Sequence, residues 1–245
     1  MVSEEVSGTN KIQVLSGNAL KCIAMTTMII DHIGYRLLPE LTWMRIVGRI
    51  AFPVYAFLIV EGFYHTHDRK RYIATMVVAA VLSEVPFDLF LSNRVLDMSH
   101  QNVLWTFELG LICVYASESS IKVWQKFSIV FVSLFLSELS GIDYGLRGML
   151  TLMAFYIIKK NGSQSKNSVF AAIMIFAIAH VMLPSYTSTV FGQAVPLQMF
   201  AVLALPIIML YNGKRGSKSA VLKYGFYVFY PLHMVCIWLI RNVII

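Results

Sequence analysis

Charge is what this 245-residue sequence most lacks. Asp, Glu, Lys and Arg together supply only 13% of it, where a soluble domain carries about 25%. So little charge does not cover a water-facing surface, so the surface faces lipid. A soluble domain, a disordered chain, a collagen and a nucleic-acid-binding domain are excluded together. Cysteine is also scarce. Cys22, Cys113 and Cys236 all lie in apolar segments, and their odd number and wide spacing exclude a disulfide framework and a metal site. There is no internal repeat, no low-complexity tract and no inter-domain linker, and the first nineteen residues show no long apolar run and no signal peptide.

What is present is hydrophobicity: 58% of residues and a mean hydropathy of +0.68. A membrane-spanning helix needs about 20 apolar residues. Nine candidates meet that pattern: Leu20–Leu38, Ile46–Tyr64, Tyr72–Leu91, Val103–Ala116, Val123–Leu139, Tyr144–Ile158, Val169–Leu183, Val195–Tyr211 and Val221–Ile240. The fourth and sixth are short, so the count runs from eight to ten. Nine such spans use roughly 180 residues and leave only short loops. The expectation is an all-α integral membrane protein, a polytopic bundle forming a single domain over residues 1–245, with residues 1–19 as a short cytoplasmic segment.

Loop charge orients the bundle. With the N-terminus inside and nine alternating spans, the inner side collects Lys11, Lys21, the Arg69–Lys70–Arg71 run, Lys122, Lys126, Lys159, Lys160, Lys166, Lys214, Arg215, Lys218 and Lys223. All eleven lysines fall there, and the positive-inside bias therefore predicts an N-in, C-out protein of the cell (inner) membrane. The same bias accounts for the net charge of +7 as topology.

An ionisable group inside a span is costly and asks for a partner or a function. Asp31, His32, Arg36, Arg49, Glu61, Glu84, Asp88, Glu108, Arg147, His180 and His233 all fall in spans. At about 1.5 Å per residue, His32, Glu84, His180 and His233 each lie roughly 16–18 Å from the inner end of their span. Arg49, Asn102, Glu108, Asp143, Tyr144 and Arg147 fall near the outer face. Polar groups of several spans thus converge on the outer half of the bilayer, the pattern of a protein-lined cavity for substrate. Any single Arg–Asp or His–Glu pair serves equally well as glue between helices, and Glu61, near the inner face with Lys21, is read that way.

Four stretches carry a family likeness: LKCIAMTTMIIDHIGY (residues 20–35), VGRIAFPVYAFLIVEGF (47–63), SGIDYGLRGMLTLM (140–153) and FYPLHMVCIWL (229–239). With QNVLW (101–105) they resemble the TraX family, whose founding member is the F-pilin acetylation protein. The Asp31–His32 pair and the Gly-Arg-x-Ala-Phe-Pro run from Gly48 to Pro53 are the most specific marks. TraX proteins in turn resemble transmembrane acyltransferases, which pass an acyl group from cytoplasmic acyl-CoA to an acceptor at or across the membrane. A branch of that group has Arg, ten residues, then His on its first span; here Lys21 stands in that place before His32, keeping the charge without the bidentate fork.

The resemblance implies acetyl-CoA as acyl donor and no metal. Lys21 and His32 are roughly 16 Å apart along a helix, so a long donor fits lengthwise. Its nucleotide would lie near Lys21, Arg69, Lys70, Arg71, Lys214 and Arg215, and its thioester near His32. His32 is the expected general base, with Asp31 or another carboxylate orienting it unless Asp31 pairs with Arg49. Arg49, Tyr230 or His233 is the expected oxyanion donor. The partners on this reading are membrane lipid, acyl-CoA, an acceptor (protein N-terminus, sugar, lipid head group or small amine) and a second copy of the chain. The rival from another class is a proton-coupled transporter using the same carboxylates and histidines.

Overall fold

The computed structural model describes residues 13–162, 168, 171, 173, 174, 187–190 and 193–244. Helices account for most of them: α1 Gly17–Arg36, α2 Thr42–Gly48, α3 Ala51–His65, α4 Arg69–Ser92, α5 Val103–Glu118, α6 Val123–Leu139, α7 Gly145–Lys160, α8 Ala204–Met209 and α9 Ala220–Leu239. Among the described residues three apolar helical runs are long enough to cross a membrane: Thr42–His65, Arg69–Ser92 and Tyr224–Ile244. The departure from an all-α fold among the described residues is a short antiparallel pair, β1 Thr187–Val190 and β2 Gln193–Pro196.

Local chemistry sets the helix ends. Ser16 caps α1 by accepting a hydrogen bond from the Ala19 N–H, so the helix starts three residues before the expected Leu20. Asp68 caps α4 in the same way through Arg71 N–H, and Asn102 caps α5 through Leu104 N–H. The expected second span is two helices. Pro53 has no N–H to offer the carbonyl of Arg49, and the chain turns at Arg49–Ile50 between α2 and α3. The expected eighth span is also broken: Gln193–Pro196 is extended, and a 3₁₀ helix, Leu197–Leu203, leads into α8. That helical run falls short of the roughly 30 Å hydrocarbon thickness at about 1.5–2 Å per residue. Most of the expected seventh span, His180 included, lies outside the described residues.

Contacts at the helix ends fix their directions. Lys159 pairs with Glu61 at 2.7 Å and Lys160 with Glu118 at 3.1 Å. Lys126 reaches the Ser117 carbonyl at 2.9 Å, and Arg69 lies over the Phe63 ring. At this end α3, α5 and α7 finish while α4 and α6 start. The N-terminus of α1 joins it through the 210–214 loop, whose Leu210 and Lys214 carbonyls accept from Leu15 and Gly17 N–H, and whose Tyr211 packs on Phe57 of α3. The opposite end gathers Asp31 with Arg45 and Arg49, Thr106 with the Asp143 carbonyl, and Asn93 with Trp238. Along the chain α1 therefore runs opposite to α2 and α3, and α4 to α7 alternate in direction, whereas α9 runs the same way as α1 and α4 on which it packs.

The expected neutralisation of Glu61 by Lys21 does not occur. Glu61 takes Lys159, and the Lys21 ammonium lies 5.0 Å from the Phe226 ring centre on α9. Two apolar clusters result. The larger, with Phe52, Phe57, Phe63, Phe107, Leu111, Leu152 and Phe155, fills the space among α3, α5 and α7. The smaller, with Met28, Phe87, Phe90, Tyr230 and Met234, joins α1, α4 and α9. Outward faces are apolar as well: Trp124, Phe127, Phe131 and Phe135 of α6 are all exposed, as a lipid-facing helix requires.

Candidate functional site

Where α1, α4 and α9 meet, two histidines more than two hundred residues apart in sequence come into contact. His32 Nδ1 lies 2.8 Å from His233 Nε2, with the ring centres 4.9 Å apart and the ring planes within 13° of parallel. Phe90 of α4 lies 4.8 Å from the His32 ring, and Phe229 stacks on the other side of His233 at 4.9 Å. His233 Nδ1 is 2.9 Å from the Phe229 carbonyl, one helical turn back. Each histidine thus contacts an apolar ring, and Tyr230 lies 5.9 Å from His233, ring centre to ring centre.

Asp31 points away from this pair, as successive residues on a helix must. Its carboxylate accepts from Arg49 through one oxygen and from Arg45 at 2.8 Å through the other, and Arg45 also reaches the Asp31 carbonyl at 3.1 Å. Arg49 is buried. Two further N–H groups go to the Arg45 carbonyl at 3.1 Å and the Tyr144 hydroxyl at 3.4 Å, so Arg49 helps to hold α2 against α1. Tyr144 itself has φ +65°, a left-handed conformation costly for a bulky side chain, and is held there by stacking on Phe52 at 3.9 Å.

A second polar group joins α4 to the start of α5. Glu84 Oε1 accepts from Asn102 Nδ2 at 2.7 Å and Trp105 Nε1 at 2.5 Å, while Asn102 also donates to the Ala80 carbonyl. One turn on, Asp88 accepts from the Asp97 N–H at 2.8 Å. Trp105 also borders a cavity of about 410 Å³ with Leu109, Leu136 and Ser140; the histidine pair does not line it. Glu108 stands apart, only 1% exposed, and among the described residues neither carboxyl oxygen has a hydrogen-bond partner. Arg36 lies 5.7 Å from the Phe90 ring centre, and Arg147 sits in the first turn of α7, half-buried.

The cations expected to meet a nucleotide divide into two groups. Lys214 and Arg215 are exposed on the loop whose carbonyls receive the Gly17 and Asn18 N–H groups, which places them over the first turn of α1 and its Lys21. Arg69 leans on Phe63, and Lys70 and Arg71 are exposed at the start of α4. Three residues of the site escaped the sequence reading. Arg45 was legible in principle, lying one helical turn before Arg49 and so on the same face. Phe90 beneath His32 and Trp105 beside Glu84 carry no such signal.

The family model for TraX protein matches residues 16–241. The chain belongs to the TraX family. Its similarity to a probable fimbrial assembly protein, FimC of serogroup H1, from Dichelobacter nodosus is 25% identity over 229 residues, covering 88% of this chain and 91% of that one. An uncharacterized protein of Rickettsia prowazekii is 33% identical over 185 residues, 74% of this chain and 68% of the relative. Protein TraX of Escherichia coli is 24% identical over 169 residues, 68% and 65% respectively. No solved structure matches. The two sequence marks that resemble TraX, Asp31–His32 and the run from Gly48 to Pro53, face each other in the fold: Asp31 holds Arg49, and His32, the next residue, holds His233.

Proposed function

We propose that this TraX-family protein is a multi-pass membrane acetyltransferase. It moves an acetyl group from cytoplasmic acetyl-CoA to an acceptor amine or hydroxyl at or across the inner membrane. The observation that carries this reading is the contact between His32 and His233, eleven residues and roughly 16 Å up α1 from Lys21. A base at that depth, with cations at the helix start, suits a donor whose charged end is a nucleotide and whose reactive end is a thioester. On this reading the lysine-bearing end faces the cytoplasm, nine spans run N-in to C-out, and residues 1–245 act as one domain. The relationship to a probable fimbrial assembly protein favours a surface-fibre subunit as acceptor.

The experiment is acetyl transfer from radiolabelled acetyl-CoA by the purified protein in lipid nanodiscs, using a pilin-type N-terminal peptide, a sugar and a small amine in turn. His32→Ala should retain the fold and CoA-dependent thermal stabilisation while losing at least about 10²-fold in turnover, the lower range for general-base catalysis. Neutralising Lys21, Arg69, Lys70, Arg71, Lys214 and Arg215 should raise the Michaelis constant for acetyl-CoA. Normal turnover in His32→Ala would sink the assignment.

The buried carboxyl of Glu108, without a hydrogen-bond partner among the described residues, favours a second reading, a proton-coupled transporter. That reading requires uptake driven by a pH gradient in proteoliposomes, abolished in Glu108→Gln.

A further inference from the structure

We infer that His233 is a positioning residue that locks His32 in the Nδ1–H tautomer and so makes Nε2 the proton-accepting atom of His32. Two successive hydrogen bonds, His233 to the Phe229 carbonyl and His32 to His233, fix the ring protons. The Phe229 carbonyl oxygen accepts hydrogen bonds and donates none, and His233 Nδ1 lies 2.9 Å from it, so His233 Nδ1 carries a proton. A neutral imidazole has one ring proton, so His233 Nε2 presents a lone pair. That lone pair is 2.8 Å from His32 Nδ1. Two lone pairs do not meet at hydrogen-bond distance, so His32 Nδ1 is the donor and the proton's place follows from the network. His32 Nε2 is left bare.

The other proton count puts a positive charge on His233. Among the described residues no carboxylate contacts either ring, and Asp31, beside His32 in sequence, is shared between Arg45 and Arg49. A buried cation without a counter-charge is costly, so the neutral pair is the favoured state. A free histidine side chain in water prefers the opposite, Nε2–H tautomer, which is why a fixed acceptor at Nδ1 matters.

The catalytic consequence rests on the acetyltransferase reading; the tautomer does not. In that reaction the acceptor's N–H or O–H proton passes to His32 Nε2 as its lone pair bonds to the thioester carbonyl carbon. The tetrahedral intermediate collapses with cleavage of the C–S bond, whose electron pair leaves on sulfur. His32 Nε2–H then returns the proton to the sulfur, and free thiol departs. Throughout, His32 Nδ1–H stays bonded to His233, which touches neither substrate.

The test has two arms. In full-length protein carrying ¹⁵N-labelled histidine in nanodiscs, ring-nitrogen NMR should show His32 with Nδ1 protonated and Nε2 bare, its signals assigned by their loss in His32→Gln. His233→Phe should convert it to the Nε2–H form. A wild-type His32 protonated at Nε2 overturns the inference whatever the activity. In the kinetic arm, His233→Phe should lower kcat about 10²-fold with an unchanged Michaelis constant for acetyl-CoA. His233→Gln, whose side-chain oxygen can still accept from His32, should recover at least tenfold of that loss. Equal losses in both variants overturn the positioning role. A correct tautomer in a protein without transferase activity sinks the acetyltransferase reading and leaves the hydrogen-bond chain established.

Discussion

Gly48 lies so close to Asp31 that a methyl group on its Cα would sit 2.2 Å from both the Asp31 Cβ and its Oδ1. Neighbouring Gly34 makes the matching approach on α1, where an added carbon would meet Met44 Cβ at 2.7 Å. These two glycines let α1 and α2 cross closely enough for Asp31 to hold Arg45 and Arg49 at once.

Gly48→Ala should therefore break the Asp31 ion pairs by pushing the helices apart, since neither backbone can give way by an ångström without moving His32. The expected result is a clear fall in the thermal midpoint in nanodiscs together with loss of acetyl transfer. A Gly48→Ala protein with wild-type stability and turnover would show that the close crossing is dispensable.

Removing the acid has a different signature. Asp31→Asn leaves Arg49 buried without its anion, and breaking a buried pair from one side costs about 3–5 kcal/mol. Asp31→Asn combined with Arg49→Met should be less destabilised than Asp31→Asn alone, because the stranded charge has gone. A double-variant loss equal to the sum of the single losses, read by denaturant unfolding in detergent micelles, would argue against coupling.

Glu108→Leu should raise stability. Both carboxyl oxygens are buried and without a partner among the described residues, and an unsatisfied buried polar group costs about 1–3 kcal/mol that an apolar side chain of similar size does not. The thermal midpoint should rise and acetyl transfer persist. A fall in the midpoint would mean that the carboxyl is held by something essential.

The loop joining α4 to α5 has its own pH response. The Ser99 hydroxyl at 2.5 Å and its N–H at 3.1 Å hold the Asp97 carboxyl down to about 2, from an ordinary 3.8. A carboxyl lowered by folding stabilises the folded loop above its ordinary pKa, and that contribution fades as pH falls from about 4 through about 2. The loop should thus be indifferent between pH 8 and pH 5. Ser99→Ala should move the Asp97 titration, followed by carboxyl-carbon NMR, up toward 4. An unmoved titration would place the cause elsewhere.

Topology is checked by single cysteines in the 65–71 and 212–223 loops and an impermeant thiol reagent applied to intact cells. Both loops should label only after permeabilisation. Outside labelling of the 212–223 loop would overturn the N-in arrangement.

Composition and helix geometry already settle much of this protein. The scarcity of charge selects lipid as solvent, and the fixed rise of a helix places His32 and His233 at one depth, because depth depends only on the residue count from a span end. The azimuth of each residue and the identity of its neighbours depend on which helices pack together, and no residue count contains that. So the tertiary structure decided that His32 meets His233 and that Asp31 goes to Arg45 and Arg49. It also decided that Lys159 takes Glu61 in place of Lys21. It broke the expected eighth span as well, at Pro196, where apolar composition stays high while the backbone changes course. Hydropathy measures the preference for lipid; it does not register a missing proline N–H or the partner that a buried carboxylate chooses.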